Sequence, residues 1–254
     1  MRNFPVSKYS KGTRLLNFHS WRPYYEDPEF TFSLYGQNVL NTLETQVYYL
    51  YNQNENIHSV GASAVYSQLF PYLSVGTQMT FDRQDSVGNV LRRWNQLDTR
   101  IGFSIPLNFT SNQTYKNLNI GTNYYLRNEF NTGPAKNLTG TNDFTYLQHF
   151  ISWSQQVERA VQHIYPRFGY AININHRYAV TNVKGRQFIA SGALYLPGIL
   201  SNHSLVLTGA FQERDTLRAL FSSAIANARG FADYYRTTAV RECGGCLLII
   251  ICHC

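Results

Sequence analysis

The chain has 254 residues, of which 44% are hydrophobic, 15% aromatic and only 15% charged, against about a quarter charged in an ordinary soluble domain. Its longest uncharged apolar run, Cys246 to Cys252, falls far short of the roughly 20 residues a spanning helix needs. A helical membrane bundle is therefore excluded, and a membrane protein with this sequence has to be a β-barrel.

The formal charge of +7, from 22 Lys and Arg against 15 Asp and Glu, raises nucleic acid or anionic lipid as a partner. The basic residues are scattered, however, and the densest groups, Arg92-Arg93 and Lys184 with Arg186, fall beside expected loops as a solvated rim. No nucleic-acid motif is present, so no nucleic-acid partner is expected. All four cysteines, Cys243, Cys246, Cys252 and Cys254, lie in the last twelve residues. The main body can hold no disulfide framework, and the C-x2-C-x5-C-x-C spacing is too tight for an ordinary two-pair zinc site. No metal or cofactor is expected.

Along the chain, Met1 to Ser10 carries no apolar core of a signal peptide. Residues 1–28 read as a linker and the body as a fragment of an exported chain. From residue 29 onward the hydrophobic period is 2, which sends alternate side chains to opposite faces of a strand. About ten strands are expected, near 29–36, 43–52, 57–67, 72–82, 95–106, 116–128, 144–154, 167–178, 187–196 and 203–212. Most run for about 9 to 12 residues, longer than the roughly 5 to 6 usual in soluble proteins and matched to a tilted membrane strand.

One face is apolar. It carries Leu73, Val75, Met79 and Phe81 on one strand, and Leu97, Ile101, Phe103 and Ile105 on the next. These are the expected lipid-facing residues. The opposite face carries the charges Glu44, Asp82, Asp98, Arg100, Arg127 and Arg177, and the mid-strand glycines Gly61, Gly76, Gly102, Gly121 and Gly169. Glycines recurring on a polar face relieve crowding and permit curvature in a closing sheet, so both sets are expected in a lumen. The lumen charges then form either a mutually neutralising network or the mixed-sign wall of a water-filled channel.

Connections are expected to alternate between long ones, 83–94 and 129–143, and short ones, 68–71 and 197–202, as in bacterial outer-membrane barrels. Tyrosines and phenylalanines near strand ends, such as Phe70, Tyr72, Tyr165 and Phe168, suit interfacial girdles. His149 and His176 share parity with apolar neighbours, which implies a shifted register or a position near an interface. Residues 155–163 and 214–228 have helix-like spacing and are read as irregular connections. Residues 242–254 form an aberrant Cys-rich tail.

Catalytic constellations are not evident. His19-Ser20 are adjacent and point opposite ways in an extended segment, and no G-x-S-x-G, H-E-x-x-H, P-loop or G-x-G-x-x-G occurs. The carboxylates Asp82 and Asp85, and Glu26, Asp27 and Glu29, sit beside loops as solvated groups. The N-x-S/T sequons at Asn108, Asn112, Asn137 and Asn202 are chance matches in an Asn-rich chain. A non-enzymatic protein is expected.

The segment Tyr9-Ser-Lys-Gly-Thr-Arg-Leu-Leu-Asn-Phe-His-Ser-Trp-Arg-Pro23 resembles the lead-in of large Bacteroidetes proteins in which TolB-like β-propeller repeats precede a C-terminal outer-membrane β-barrel. Ser33-Leu-Tyr-Gly-Gln-Asn38, Leu196-Pro-Gly198 with Asn202-His-Ser-Leu205, and Arg229-Gly-Phe-Ala-Asp-Tyr-Tyr235 continue the resemblance, which covers about residues 9 to 241. It departs from the pattern at Glu242, where further strands would follow.

The resemblance implies an incomplete transmembrane up-and-down antiparallel barrel over 29–241, with about ten of roughly 14 to 16 strands. It also implies an open, aggregation-prone edge. The implied role, porin-like, is to anchor an upstream periplasmic domain of the same full-length chain in outer-membrane lipid and to form a pore or export channel. A surface-antigen or protein-assembly barrel is the neighbouring alternative. A soluble all-β protein binding an apolar ligand is the other class, and its interior would be the Leu73, Val75, Met79 and Phe81 face.

Overall fold

The computed structural model describes residues 16–87, 90–133, 136, 140–141, 143–158, 165–181, 184–198, 204–215 and 220–221, together with the backbone of 247–253. Twelve strands form one antiparallel sheet whose order follows the sequence. They are β1 (Phe18–Glu26), β2 (Glu29–Gln37), β3 (Leu43–Asn52), β4 (Ile57–Tyr66), β5 (Tyr72–Val87), β6 (Val90–Asn108), β7 (Thr114–Thr132), β8 (Phe144–Val157), β9 (Gly169–Ala179), β10 (Arg186–Pro197), β11 (Ser204–Arg214) and β12 (Leu247–His253). The all-β, up-and-down antiparallel architecture read from the period-2 pattern is thus the one observed. Among the described residues β1 and β12 each have one neighbour in the sheet.

Each of the ten expected strands has a counterpart, and four details differ. A strand, β1, occupies the segment read as linker. Its Pro23 is tolerated because an edge strand needs no donor on its open side. The expected long connection 83–94 is instead strand, with only residues 88–89 between β5 and β6. Its Arg, Gln, Asp and Asn content suggested a loop, yet the alternation continues, with Arg92, Trp94 and Gln96 buried while Leu91 and Arg93 are exposed. Long and short connections do not segregate: residues 158–168, on the expected short side, match 133–143 in length. What is extended is strand. β5, β6 and β7 have 16, 19 and 19 residues, and β5 runs past its last pair with β4, His58 opposite Phe81. Finally, the backbone of β12 in the Cys-rich tail pairs with β11 over Val206–Gln212, as a Leu-Leu-Ile-Ile-Ile run rich in β-branched residues can. Residues 155–157 belong to β8, not to a helical turn; 159–164 and most of 214–228 lie outside the described residues.

The contacts divide the chain into two units: residues 1–99 with 128–141, and residues 100–127 with 142–254. In the first, register joins the apolar positions into one face. Trp21 lies opposite Leu34, Leu34 opposite Val47, Val47 opposite Ala62, and Ala62 opposite Thr77. The other face runs through Arg22, Ser33, Tyr48, Gly61 and Gln78. In the second, Ile120, Ile151, Ile174, Ala190 and Phe211 are in register on one face. Arg177, Gln187 and Arg214 are in register on the other.

Burial is inverted relative to a soluble sheet protein. Among the described residues ten polar or charged side chains are buried against five apolar ones. The polar set includes Ser33, Ser59, Thr80, Gln187 and Gln212; Thr45 is on the opposite face and donates to the Gly36 carbonyl. Trp21, Val60, Val75, Ile101 and Ile172 are all exposed.

The glycines make room on the buried face. A Cβ at Gly61 would meet the Tyr48 ring at 2.3–2.6 Å, and one at Gly121 would meet the Phe150 ring at 2.5 Å. A large cross-strand ring lies over each glycine, a device that pins register. Gly61→Val should therefore cost about 1–3 kcal/mol through overpacking. Removing the ring with Tyr48→Ala should make the valine better tolerated, so that a double-mutant cycle on denaturant midpoints gives clear non-additivity.

Candidate functional site

The candidate site is the buried polar face, and its chemistry differs between the two units. In the first, short donors and acceptors form a ladder across β2 to β5. Gln46 Nε2 donates to Ser33 Oγ at 3.3 Å, Tyr48 donates to Gln78 Oε1 at 2.9 Å, and the Ser59 and Thr80 hydroxyls share a 2.9 Å bond. Register places Ser59 directly opposite Thr80 and Gln46 diagonal to Ser33 on neighbouring strands, while Tyr48 on β3 reaches over Gly61 on β4 to Gln78 on β5, so that buried polar groups are paired.

Beyond this ladder the extended β6 and β7 place an ion pair. Arg92 Nη2 contacts Glu129 Oε2 at 2.5 Å, with both side chains under one-tenth exposed. The guanidinium also donates to Asn131 Oδ1 from Nη2 at 3.0 Å and from Nε at 3.2 Å, and it sits 4.6 Å from the Trp94 ring centroid. Arg83 lies 5.7 Å from the same ring and donates to Gln96 Oε1, and Gln96 donates to Asp98. This is a charge-assisted network.

In the second unit, Gln148 donates to Asn175 at 3.1 Å, Ser152 to Asn173 at 2.6 Å, Arg177 to Gln187 at 3.3 Å, and Gln187 to Gln212 at 3.4 Å. An aromatic group interrupts the ladder. Tyr125 and Tyr146 stack at 4.6 Å, Phe144 and Phe221 pack edge-on, and the Arg127 guanidinium lies 5.3 Å from the Phe144 ring.

Glu44 occupies the polar face at the exposed start of β3, opposite Gln37 and Val65. Asp98 is a partner of Gln96, Arg127 of Phe144 and Arg177 of Gln187, while Arg100 is half-buried. Asp82 departs from the pattern: its φ is +58° and its side chain is exposed. This left-handed backbone, the conformation of a bulge residue, shifts the alternation, so that Arg83 takes the inward place. Arg92 and Glu129 form a buried ion pair, and Arg92 is not the solvated rim its neighbourhood suggested. The signal for it was Leu91-Arg-Arg-Trp-Asn-Gln96, whose even positions alternate with Leu91, Arg93 and Asn95 like any strand.

Gly61 is opposite Gln78, Gly76 opposite Ser63, Gly121 opposite Phe150 and Gly169 opposite Gln156, while Gly102 lies against Asn123. On the other face Leu73, Val75, Ile101 and Phe103 are exposed, and Met79, Phe81, Leu97 and Ile105 are half-buried.

His149 and His176 are in register, not shifted. They face each other on the apolar side, stacked with Tyr178, in a cross-strand row of Thr122, His149, His176, Phe188 and Glu213. Thr122 Oγ1 is 2.9 Å from His149 Nδ1. The Arg186–Glu213 pair lies at the same end. This polar row borders the apolar rows beside it.

No protein family, curated protein or solved structure compared with the chain matches it.

Glu129→Gln should strand the buried Arg92 charge and lower stability by about 3–5 kcal/mol. Replacing both partners with methionine should recover most of the loss, because well-packed apolar side chains often substitute for a buried ion pair. Equilibrium unfolding in detergent measures both.

Proposed function

We propose that these strands are part of the wall of an outer-membrane β-barrel that anchors a periplasmic portion of a longer chain and encloses a polar lumen. One observation carries the reading: large apolar side chains such as Trp21, Val75, Ile101 and Ile172 are exposed while buried polar side chains outnumber buried apolar ones ten to five among the described residues. In lipid every backbone group must pair within the protein, which antiparallel barrel strands achieve laterally. The outer face then meets acyl chains at no desolvation cost, while the polar side chains pair across the strands inside. The lengths of β5 to β7 exceed the roughly 9–11 residues a membrane strand needs, which leaves their ends to stand clear of the bilayer. Aromatic residues at strand ends and the Thr122–Glu213 row, with its two histidines, suit the headgroup level.

The ladder of Gln, Asn, Ser and Tyr fills inner space with paired neutral groups, which favours a plugged or narrow lumen over a wide charged channel. The soluble alternative requires Leu73 and Val75 inside, and their exposure of 43% and 49% weighs against it.

The three tryptophans test the reading. Trp21 is exposed on the apolar face and stacks on Phe32, Trp153 lies opposite Ile172 on the same kind of face, and Trp94 is buried. In single-tryptophan variants reconstituted into vesicles, brominated acyl chains should quench Trp21 and Trp153 and spare Trp94. A chain that stays monodisperse without detergent, with no tryptophan quenched by such vesicles, would overturn the proposal.

A further inference from the structure

We infer that the apolar face of β9, β10 and β11 binds one phospholipid with a zwitterionic phosphoethanolamine head. Its phosphate meets Arg186 and His176, its ammonium meets Glu213, and an acyl chain lies in a groove over Gly192 and Gly209. The inference rests on the barrel reading, which puts this face in lipid, and adds to it one lipid selected by its chemistry. Two openings on the same three strands carry it. One, of about 220 Å³, is lined by His176, Arg186, Phe188 and Glu213. The other, of about 450 Å³, is lined by Tyr170, Ile172, Leu194 and Leu207 around Gly192 and Gly209. Register puts all of these residues on the face of Ile174, Ala190 and Phe211, and all belong to one unit of the chain.

The first opening carries the complement of a zwitterion. Arg186 and Glu213 pair at 3.4 Å with side chains 76% and 46% exposed, and an ion pair so open to water is worth little. A phosphate on the guanidinium and an ammonium on the carboxylate replace it with two contacts of opposite charge, and the guanidinium fork suits phosphate geometry. His176 adds a donor. Neither of its ring nitrogens has a hydrogen-bond partner among the described residues, while stacking on His149 and Tyr178 holds the ring in place. A head with a net charge of either sign would leave one member of the Arg186–Glu213 pair beside a like charge.

The second opening is apolar, and Gly192 keeps it open. Gly61 and Gly121 lie under cross-strand rings, but a Cβ at Gly192 would meet only the Ala171 carbonyl oxygen, at 3.4 Å. Gly192 is directly opposite Ile172 on β9 and Gly209 on β11, so two neighbouring strands present no side chain at this level, beside the larger row of Tyr170, Leu194 and Leu207. The two openings are aligned along the strands. From His176 to Ile172 on β9 is about 14 Å at the usual rise per residue, with Ile174, Ala190 and Phe211 in the row between. Half of the roughly 30 Å hydrocarbon core is about 15 Å, so an acyl chain whose head sits at Arg186 reaches the groove.

The test uses the whole chain reconstituted in phosphatidylcholine vesicles, carrying Trp21→Phe and Trp94→Phe so that Trp153, directly opposite Ile172, reports on the groove. A minor fraction of the lipid is replaced by phosphatidylethanolamine, phosphatidylglycerol or phosphatidylcholine with brominated acyl chains. Quenching of Trp153 should show brominated phosphatidylethanolamine enriched about threefold over the other two. Glu213→Gln should abolish the preference over phosphatidylglycerol, and Gly192→Leu, which fills the groove, should bring all three lipids to the same quenching. Both variants should keep the strand signal in circular dichroism. Equal quenching by the three lipids in the parent chain, a preference for phosphatidylglycerol or phosphatidylcholine, or the parent's preference kept in either variant overturns the inference and leaves the barrel reading standing. Absence of quenching even when all of the lipid is brominated overturns the barrel reading as well.

Discussion

Alternation along paired antiparallel strands is the constraint on which the rest of this structure depends. Once register locks β2 to β5, and separately β7 to β11, every side chain is assigned to one of two faces, and a one-residue slip would exchange them. Here the faces differ so strongly in polarity that only one register is tolerable. Ile120, Ile151, Ile174, Ala190 and Phe211 share one side, and Gln148, Asn173, Asn175, Gln187 and Gln212 share the other. The bulge-like residue Asp82 matters because Arg83, the next residue on β5, takes the other side and comes toward Trp94.

A buried polar face has to satisfy itself. Neutral amides and hydroxyls do this at lower desolvation cost than charges, since each carries both donor and acceptor and removes no net charge from water. The chain follows that logic, spending most of the inner face on Ser, Thr, Gln, Asn and Tyr. It buries a full charge pair at Arg92–Glu129, where Asn131 and the Trp94 ring help to satisfy the guanidinium. Space is managed in the same currency: a glycine on one strand accepts the ring of a neighbour, as Gly61 does for Tyr48.

On the proposed reading the two faces divide the work. The apolar face holds the protein in lipid without specific chemistry, while the inner network keeps the wall rigid. The long strands β5 to β7 add a further buried group, the Arg92–Glu129 ion pair. The open edges of β1 and β12 present unpaired backbone groups that further strands could complete.

The two-faced strand pattern and the antiparallel up-and-down fold were legible in the residues themselves, because period 2 is a local property of the chain. The same alternation placed Leu73, Val75, Ile101 and Phe103 together. Which face is the more buried was not legible, since a soluble sheet and an inverted one share one alternation; Gln187 is buried and Ile172 exposed. Local polarity also misled at 83–94, where charged residues that look like a loop are strand, because cross-strand partners far away in sequence, Glu129 and Asn131, satisfy them. Strand β1 escaped notice for a related reason: at an edge both faces are exposed, so its side chains carry no burial pattern. What tertiary structure alone could decide was the pairing of groups distant along the chain, and that pairing turns a polar stripe into a network.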